Sequence, residues 1–326
     1  MSDQPAPPPS AAEPLVSVVV ATHNRREKLL RLLASIRGST GIDLDRVEVI
    51  VAADRCSDGT QRAVLVGHPA AHVIDVPDYG HLLFMAGARA AGAAVARGEF
   101  VFIVDDDNIL ASDCLTMLVA TARSDERIGV VGPLMLLWPP GSGVYCAGAW
   151  VSRHGQCRHA HEQPRSEALV ECEYLPNAFL VRREVMQRIA PLDPLSFPHN
   201  WSEQDQCFRV LDSGYSVCVD PRARVWHDSG YTAFTTRISE AAVRDQSRAR
   251  IFIRRRYPDR FASLAGFWVL TFPITTAYYL IRFLRARHPL RLMRAYVAGT
   301  VEALRAPLPL APVDQLEAAD AVAASH

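Results

Sequence analysis

The chain has 326 residues, 49% of them hydrophobic and 21% charged, and it exceeds the usual length of one domain, roughly 100–200 residues. This composition excludes a disordered or fibrous protein and favours one large α/β domain with extensions, or two lobes. Thirty-five basic and thirty-five acidic residues cancel. Seven cysteines, odd in number and without a C-x-x-C pair, exclude a complete disulfide framework and suit a reducing, cytoplasmic compartment.

Residues 1–14 hold five prolines and no apolar run, which predicts a disordered leader and not a signal peptide. A β-branched run over 15–21 predicts a strand that ends in Thr22-His23-Asn24-Arg25. Leu29, Leu30, Leu33 and Ile36 then recur at helical spacing up to Gly38. The second strand, 47–53, leads into Asp54-Arg55-Cys56-Ser57-Asp58-Gly59-Thr60, a loop of turn and cap formers ahead of another helix. An Ala-rich helix over 86–97, with Arg89 and Gly92, and a strand over 100–104 continue the alternation. Nearly continuous apolar strands separated by helices predict a mostly parallel sheet covered on both faces. Ligands of such sheets bind beyond the carboxyl ends of the strands. The polar clusters 22–25, 54–60 and 105–108 all fall at that edge.

At Asp105, Asp106 and Asp107 an apolar strand runs straight into three consecutive carboxylates. Acids this close raise one another's pKa unless a cation sits among them. The strand end is therefore a candidate site for a hard divalent metal, Mg2+ or Mn2+, of the kind that accompanies phosphorylated substrates. A solvated acidic turn is the plainer alternative. Farther on, His154, His159 and His161 cluster without the cysteine spacing of a zinc site, and read as substrate-loop or surface residues.

The zero net charge hides an asymmetry: between Arg244 and Arg294 stand twelve arginines and two acids. Inside this block, 262–281 is a run of twenty residues without a charge, with Trp268, Tyr278 and Tyr279 as amphipathic aromatics. Such a run is a membrane signal, with a buried core helix as the alternative. Basic flanks on both sides argue against a single crossing, and Pro273 is expected to bend the run into an interfacial or re-entrant element. Leu290, Met293, Val297, Val301 and Leu304 follow at helical spacing with Arg291, Arg294 and Arg305 elsewhere on the turn. That pattern suits a helix resting on anionic lipid, although an ordinary packing helix looks similar. The stretch 307–326 is expected to be a flexible tail.

Taken in order, the motifs carry a resemblance. Strand then Thr-His-Asn-Arg, strand then Asp54 with Ser-Asp-Gly-Thr, and apolar strand then Asp-Asp-Asp resemble the first half of inverting family 2 glycosyltransferases of the GT-A fold. Segments 174–185 (YLPNAFLVRREV), 201–209 (WSEQDQCFR), Gly214-Tyr215 and 223–230 (ARVWHDSG) are similar, in order and spacing, to the family's acceptor-side segments. The basic, apolar C-terminal region is similar to that of bacterial, rhamnosyltransferase-like cell-envelope members. The fold implied is α/β, a GT-A (Rossmann-like) mostly parallel sheet flanked by helices over 15–240. Within it, 15–110 would serve the nucleotide sugar and 111–240 the acceptor, followed by a C-terminal membrane-associated helical extension over 241–306.

The resemblance also implies roles. Thr22, His23, Asn24, Asp54, Asp58 and Asp106 would contact the nucleotide sugar, and Arg89 would approach its diphosphate. Asp105 and Asp107 match the Asp-x-Asp pair, Asp105 near ribose and metal, Asp107 ligating the metal that bridges both phosphates. His227 would complete that metal site. Glu203 would be the general base with Asp205 beside it, and Trp201 and Arg209 would lie on the acceptor side. Three positions depart from the pattern: Glu203 where the base is usually Asp, Ser202 where a Glu stands, and Ala90 where an Asn stands. Plainer readings are a helix cap for Asp54, a hydrogen-bond partner for His227, a surface acid for Glu203 and a solvated cation for Arg89.

The activity implied is transfer of one sugar, with inversion, from a nucleotide diphosphate donor to a lipid-linked or cell-envelope glycan acceptor, with Mn2+ or Mg2+. The expected location is the cytoplasmic face of the bacterial inner membrane, peripheral or monotopic, with an anionic membrane surface as partner and no nucleic acid. Two other classes stay open. A nucleotidyltransferase lacks support, since no Gly-rich phosphate loop bearing a lysine is present and Lys28 is the only lysine. A catalytically inactive membrane-associated scaffold would explain Ser202 and Ala90.

Overall fold

The computed structural model describes residues 13–76, 84–228 and 239–307. The expected leader and tail, apart from residues 13, 14 and 307, and positions 229–230 of the last acceptor-side segment lie outside the described residues. The first half alternates β1 (Val16–Thr22), α1 (Arg26–Arg37), β2 (Val47–Ala53), α2 (Thr60–Gly67), β3 (His72–Asp75), α3 (Phe84–Val95) and β4 (Phe100–Asp105). β1 pairs in parallel with β2 and β4, and β2 with β3. Every residue of β1 and β4 is buried, which is why these strands read as apolar runs and not as alternating ones.

The second half supplies β5 (Asn108–Leu110), α4 (Cys114–Ser124), β6 (Ile128–Leu137), β7 (Val144–Cys146), β8 (Ala149–Val151), β9 (Cys157–His159), β10 (Val170–Glu171), β11 (Ala178–Arg182), α5 (Arg183–Arg188), α6 (Ser202–Asp212) and β12 (Ser216–His227). Among the described residues the main sheet has the order β10-β12-β6-β11-β4-β1-β2-β3, with β5 on β12 and β7 on β6. β11 lies antiparallel between β4 and β6. The sheet is thus parallel in its first half and mixed in its second. β12 runs parallel to β6, shifts register between Asp220 and Arg224, and ends antiparallel to β5 with His227 opposite Asn108. That pairing delivers the end of β12 to the acidic turn after β4.

Small residues let α3 lie close on the sheet. A Cβ on Gly92 would meet Val19 Cγ1 at 2.4 Å, and Ala86 and Ala88 are buried. Arg89 is carried inward with them and is only 1% exposed, not solvated.

The C-terminal region consists of α7 (Glu240–Arg256), the single turn α8 (Leu264–Gly266), a wide π-helical turn Phe267–Thr271, α9 (Phe272–Leu284) and α10 (Pro289–Arg305). Ser239 caps α7 by accepting the Ala242 N–H at 3.1 Å. α10 packs on α7 at Gly299, where a Cβ would meet the Arg244 carbonyl oxygen at 2.1 Å. The inner face of α7 joins Phe197, Trp201 and Phe208 in a second core, so these helices are welded to the sheet domain. Pro273, the second residue of α9 directly after the π-helical turn, does not end the helix. Instead Phe267–Leu284 is one helical run of 18 residues, long and apolar enough to cross a membrane. Val269, Ile274 and Leu284 are 80%, 62% and 72% exposed. On α10 the expected stripe is likewise turned outward at Leu290, Val297 and Leu304, while Leu292, Tyr296, Gly299 and Ala303 are buried.

Candidate active site

The three acids meet different partners. Asp105 accepts from Arg89 Nη2 at 2.5 Å, and its backbone N–H donates to Asn177 at 2.9 Å. Asp106 accepts from Thr22 Oγ1 at 2.8 Å and from Arg25 Nη1 at 3.0 Å. Asp107 accepts from the same Arg25 nitrogen at 2.9 Å. Burial pushes Asp105 above the ordinary carboxylate range against the pull of Arg89. Burial likewise pushes Asp106 up to about 6, with Arg25 opposing and Asp107 adding to the shift. Burial acts on Asp107 too, but the facing His227 ring, Arg25 and Lys28 more than offset it and hold that carboxyl low. The turn is no solvated loop: the three residues are 6%, 3% and 8% exposed.

His227 Nε2 stands 3.3 Å from Asp107 Oδ1, and Asp228 donates its N–H to the Asp107 carbonyl at 2.8 Å. The His227 ring also meets Tyr145 edge to face at 4.5 Å between centroids. Asp228 is held from α1 by Lys28, whose Nζ donates to its carbonyl at 2.5 Å, and by Arg31. The expected metal set is therefore brought together only in part. Among the described residues no three His, Cys, Asp or Glu side chains converge on one point. Asp105 is committed to Arg89, whereas Asp107 Oδ1 and His227 Nδ1 are buried without a hydrogen-bond partner. The Asp107 carboxylate and the His227 imidazole 3.3 Å from it are ligand types that suit a hard divalent cation.

Arg89 spans the cleft. Its Nη1 donates to Glu203 Oε1 at 2.5 Å while Nη2 holds Asp105. Burial pushes the Glu203 carboxyl up, but the Arg89 guanidinium outweighs it and keeps the group below the ordinary range, ionised as a base must be. Arg89, expected to approach the diphosphate, ties Asp105 to the candidate base. Two residues on, Asp205 is fully buried and turned away. It takes Arg209 Nη2 at 2.7 Å, Arg256 Nη1 at 2.8 Å and the Tyr257 hydroxyl at 2.9 Å. Asp205 therefore braces α6 against α7 and does not stand beside the base in the cleft. Arg209, expected on the acceptor side, also donates to the Pro191 and Ile189 carbonyls and is structural. Trp201 begins α6 in a left-handed conformation (φ 72°), with its ring against Phe261.

A cavity of about 250 Å³ opens beside these acids, lined by Thr22, His23, Asp54, Asp106, Met85 and His199 among others. His23 Nδ1 donates to the Asp54 carbonyl at 2.5 Å. Asn24, at φ 52°, accepts the Ser57 N–H at 2.7 Å and so joins the first two loops. The Asp54 carboxylate is gripped by Arg55 at 2.8 and 3.1 Å. The Asp58 carboxylate, expected at the nucleotide sugar, is turned to the protein's own backbone. It accepts the backbone N–H groups of Arg26 and Thr60, both at 3.1 Å, and so caps the first turns of α1 and α2.

Comparison with known proteins bears on this arrangement. Residues 17–136 match the sequence profile described as glycosyl transferase family 2. That match spans β1 to β6, and over those residues the chain is similar to family 2 glycosyltransferases. It is similar to the pre-mycofactocin glycosyltransferase of Mycobacterium tuberculosis, 26% identical over 266 residues that are 80% of this chain and 52% of that protein. It is also similar to the succinoglycan biosynthesis protein ExoM of Rhizobium meliloti, 26% identical over 213 residues, 64% of this chain and 65% of that one. The matched stretches span 25% to 65% of the lengths of the curated relatives. Among solved structures, GalNAc-T7 with UDP, GalNAc and Mn2+ superposes with a TM-score of 0.58 at 16% identity, covering 82% of this chain and 59% of that one. That likeness establishes the GT-A fold.

The cleft residues to which sequence reasoning gave no site role are Arg25, Lys28, Tyr145 and His199. Arg25 and Lys28 did carry a signal: a cation directly after the first motif, then the only lysine of the chain, both aimed at the acids from the start of α1.

Proposed function

We propose that the chain is an inverting glycosyltransferase that moves one sugar from a nucleoside diphosphate donor to a lipid-linked or cell-envelope glycan acceptor. The observation that carries this reading is Arg89, which links Asp105 of the acidic turn after β4 to an ionised carboxylate at the start of α6. A donor bound along Thr22, His23, Asp54 and Asp106 would present its diphosphate toward Asp107. A divalent cation, Mn2+ or Mg2+, held by Asp107 and His227 would supply charge neutralisation of the leaving diphosphate. On the opposite face Glu203 would accept the proton of the acceptor hydroxyl as its oxygen bonds to the anomeric carbon and the bond from that carbon to the diphosphate breaks. Attack and departure on opposite faces invert the anomeric centre. The presence of UDP and Mn2+ in the GalNAc-T7 structure supports the donor class and the cofactor.

The exposed apolar band of Phe267–Leu284 and α10, inside the arginine-rich region, supports lodging in the interface of the cytoplasmic membrane face. Incubation with a panel of nucleotide sugars and Mn2+ tests the enzymatic reading. Nucleoside diphosphate release with one donor is expected, and pyrophosphate release would replace it with nucleotidyl transfer. Binding without turnover under every acceptor would favour a scaffold. Replacing Asp107 by Ala should lower release by about 10³-fold or more at an unchanged melting temperature; undiminished turnover removes the metal assignment.

A further inference from the structure

A second cavity, also about 250 Å³, lies between α7 and the apolar run, lined by Arg250, Arg254, Trp201, Phe267, Leu270 and Ile274 among others. Among the described residues no acid faces its two arginines. Among the described residues neither forms a salt bridge, and Arg250 Nε and Nη1 and Arg254 Nη1 are buried without a hydrogen-bond partner. Arg254 is 7% exposed, lies over the Phe267 and Phe261 rings at 4.4 and 4.8 Å and donates to the His154 carbonyl. Arg250 donates to the Tyr296 hydroxyl at 2.6 Å and lies over the Tyr279 and Tyr296 rings, each at 5.4 Å. Burial, with Arg250 nearby, pulls the Arg254 guanidinium down to about 10, which signals a cation without its counter-charge. Ring faces return less to a buried cation than desolvating its guanidinium costs. An anion in the cavity would close that deficit.

The cavity's walls select among anions. Leu270 and Ile274 are 55% and 62% exposed, so the cavity opens onto the outward apolar face of the Phe267–Leu284 run. Inorganic phosphate would satisfy the arginines and waste the walls; an uncharged lipid would do the reverse. We propose that this cavity binds a phosphate-bearing lipid, with Arg250 and Arg254 on the phosphate and Phe267, Leu270 and Ile274 along the chain. The inference rests on the lipid-facing reading of the extension given above. Trp201 places the cavity directly before α6, the helix that carries Glu203.

The full-length protein in mild detergent is titrated with farnesyl phosphate, farnesol and inorganic phosphate. Farnesyl phosphate should bind about tenfold or more tightly than either of the others, and Arg254→Gln should weaken it by about tenfold or more. Thr271→Trp, which fills the cavity and leaves both arginines in place, should weaken it equally. Arg244→Gln, which removes an exposed cation from the same helix, should not. Full-strength binding to the cavity-filled variant, or an equal loss in Arg244→Gln, overturns the proposal. Competition by phosphatidylglycerol at equal strength would identify a bilayer lipid as the natural occupant, whereas preference for the isoprenoid chain would identify a lipid acceptor. Binding is read without any nucleotide sugar, so a chain that releases no nucleoside diphosphate, which would sink the transferase reading, still tests the cavity.

Discussion

The strand edge and the C-terminal helices handle buried charge in opposite ways. At the edge, Arg25 meets Asp106 and Asp107, and Arg89 meets Asp105 and Glu203, so the cleft carries its own counter-ions. In the helices, Arg250 and Arg254 lie among aromatic rings with donors unfilled. Internal pairing holds acids in place for a charged substrate to engage, whereas absent pairing reserves a position for an external anion. The two regions meet on α6. Glu203 and Asp205 are two residues apart, about 200° around a helix, so one faces the cleft while the other is gripped by α7 through Arg256 and Tyr257.

The largest effect should come from the cleft side of that helix. Glu203→Gln keeps a hydrogen bond to Arg89 but cannot accept a proton, and should lower turnover by about 10²–10⁴-fold with little change in donor affinity. Turnover measured as nucleoside diphosphate release that stays within a few fold would leave Glu203 as a mere partner of Arg89. Breaking the other side should cost stability instead. Asp205→Ala leaves Arg209 and Arg256 short of an anion in a buried place and should destabilise the fold by about 3 kcal/mol or more, read by denaturant unfolding. A loss near zero would mean that the sheet domain and the helices are joined by apolar packing alone.

What could be read from the sequence follows from the range of the interactions. The parallel half was legible because buried strands and capped helices leave local patterns, and the clusters at 22–25, 54 and 105–107 reach one edge through that alternation alone. The antiparallel insertion of β11 was not, since its place depends on pairing with β4 and β6 far along the chain. Glu203 and His227 were proposed from order and spacing alone. The true partners of Asp205 and Asp58 were not, because an ion pair with Arg256 or a shared cap for two helices has no local signature. Arg89 looked like a solvated residue on an Ala-rich helix, yet those same alanines and Gly92 are what allow α3 close enough to bury it. The outward stripe on α10 was visible as a period, but the period does not say which side faces protein.

A smaller test returns to charge in the helices. Asp245 on α7 is 5% exposed and poorly served, with Arg248 at 3.2 Å and the Asn200 N–H at 3.4 Å. Burial pushes its carboxyl up to about 6 in spite of Arg248. In the unfolded chain an aspartate titrates near 3.9, so between these values the folded protein holds a proton that the unfolded chain has lost. The contribution of this group is complete below about pH 4 and is lost as pH rises through about 6, which makes the ionised form a burden at neutrality. Asp245→Asn, which stays neutral, should therefore raise stability by about 1–2 kcal/mol at about pH 8 and by little at about pH 4, seen as melting temperatures that converge on acidification. A gain equal at both ends would show that Arg248 keeps Asp245 charged without penalty, and α7 would then handle its acids as the cleft does.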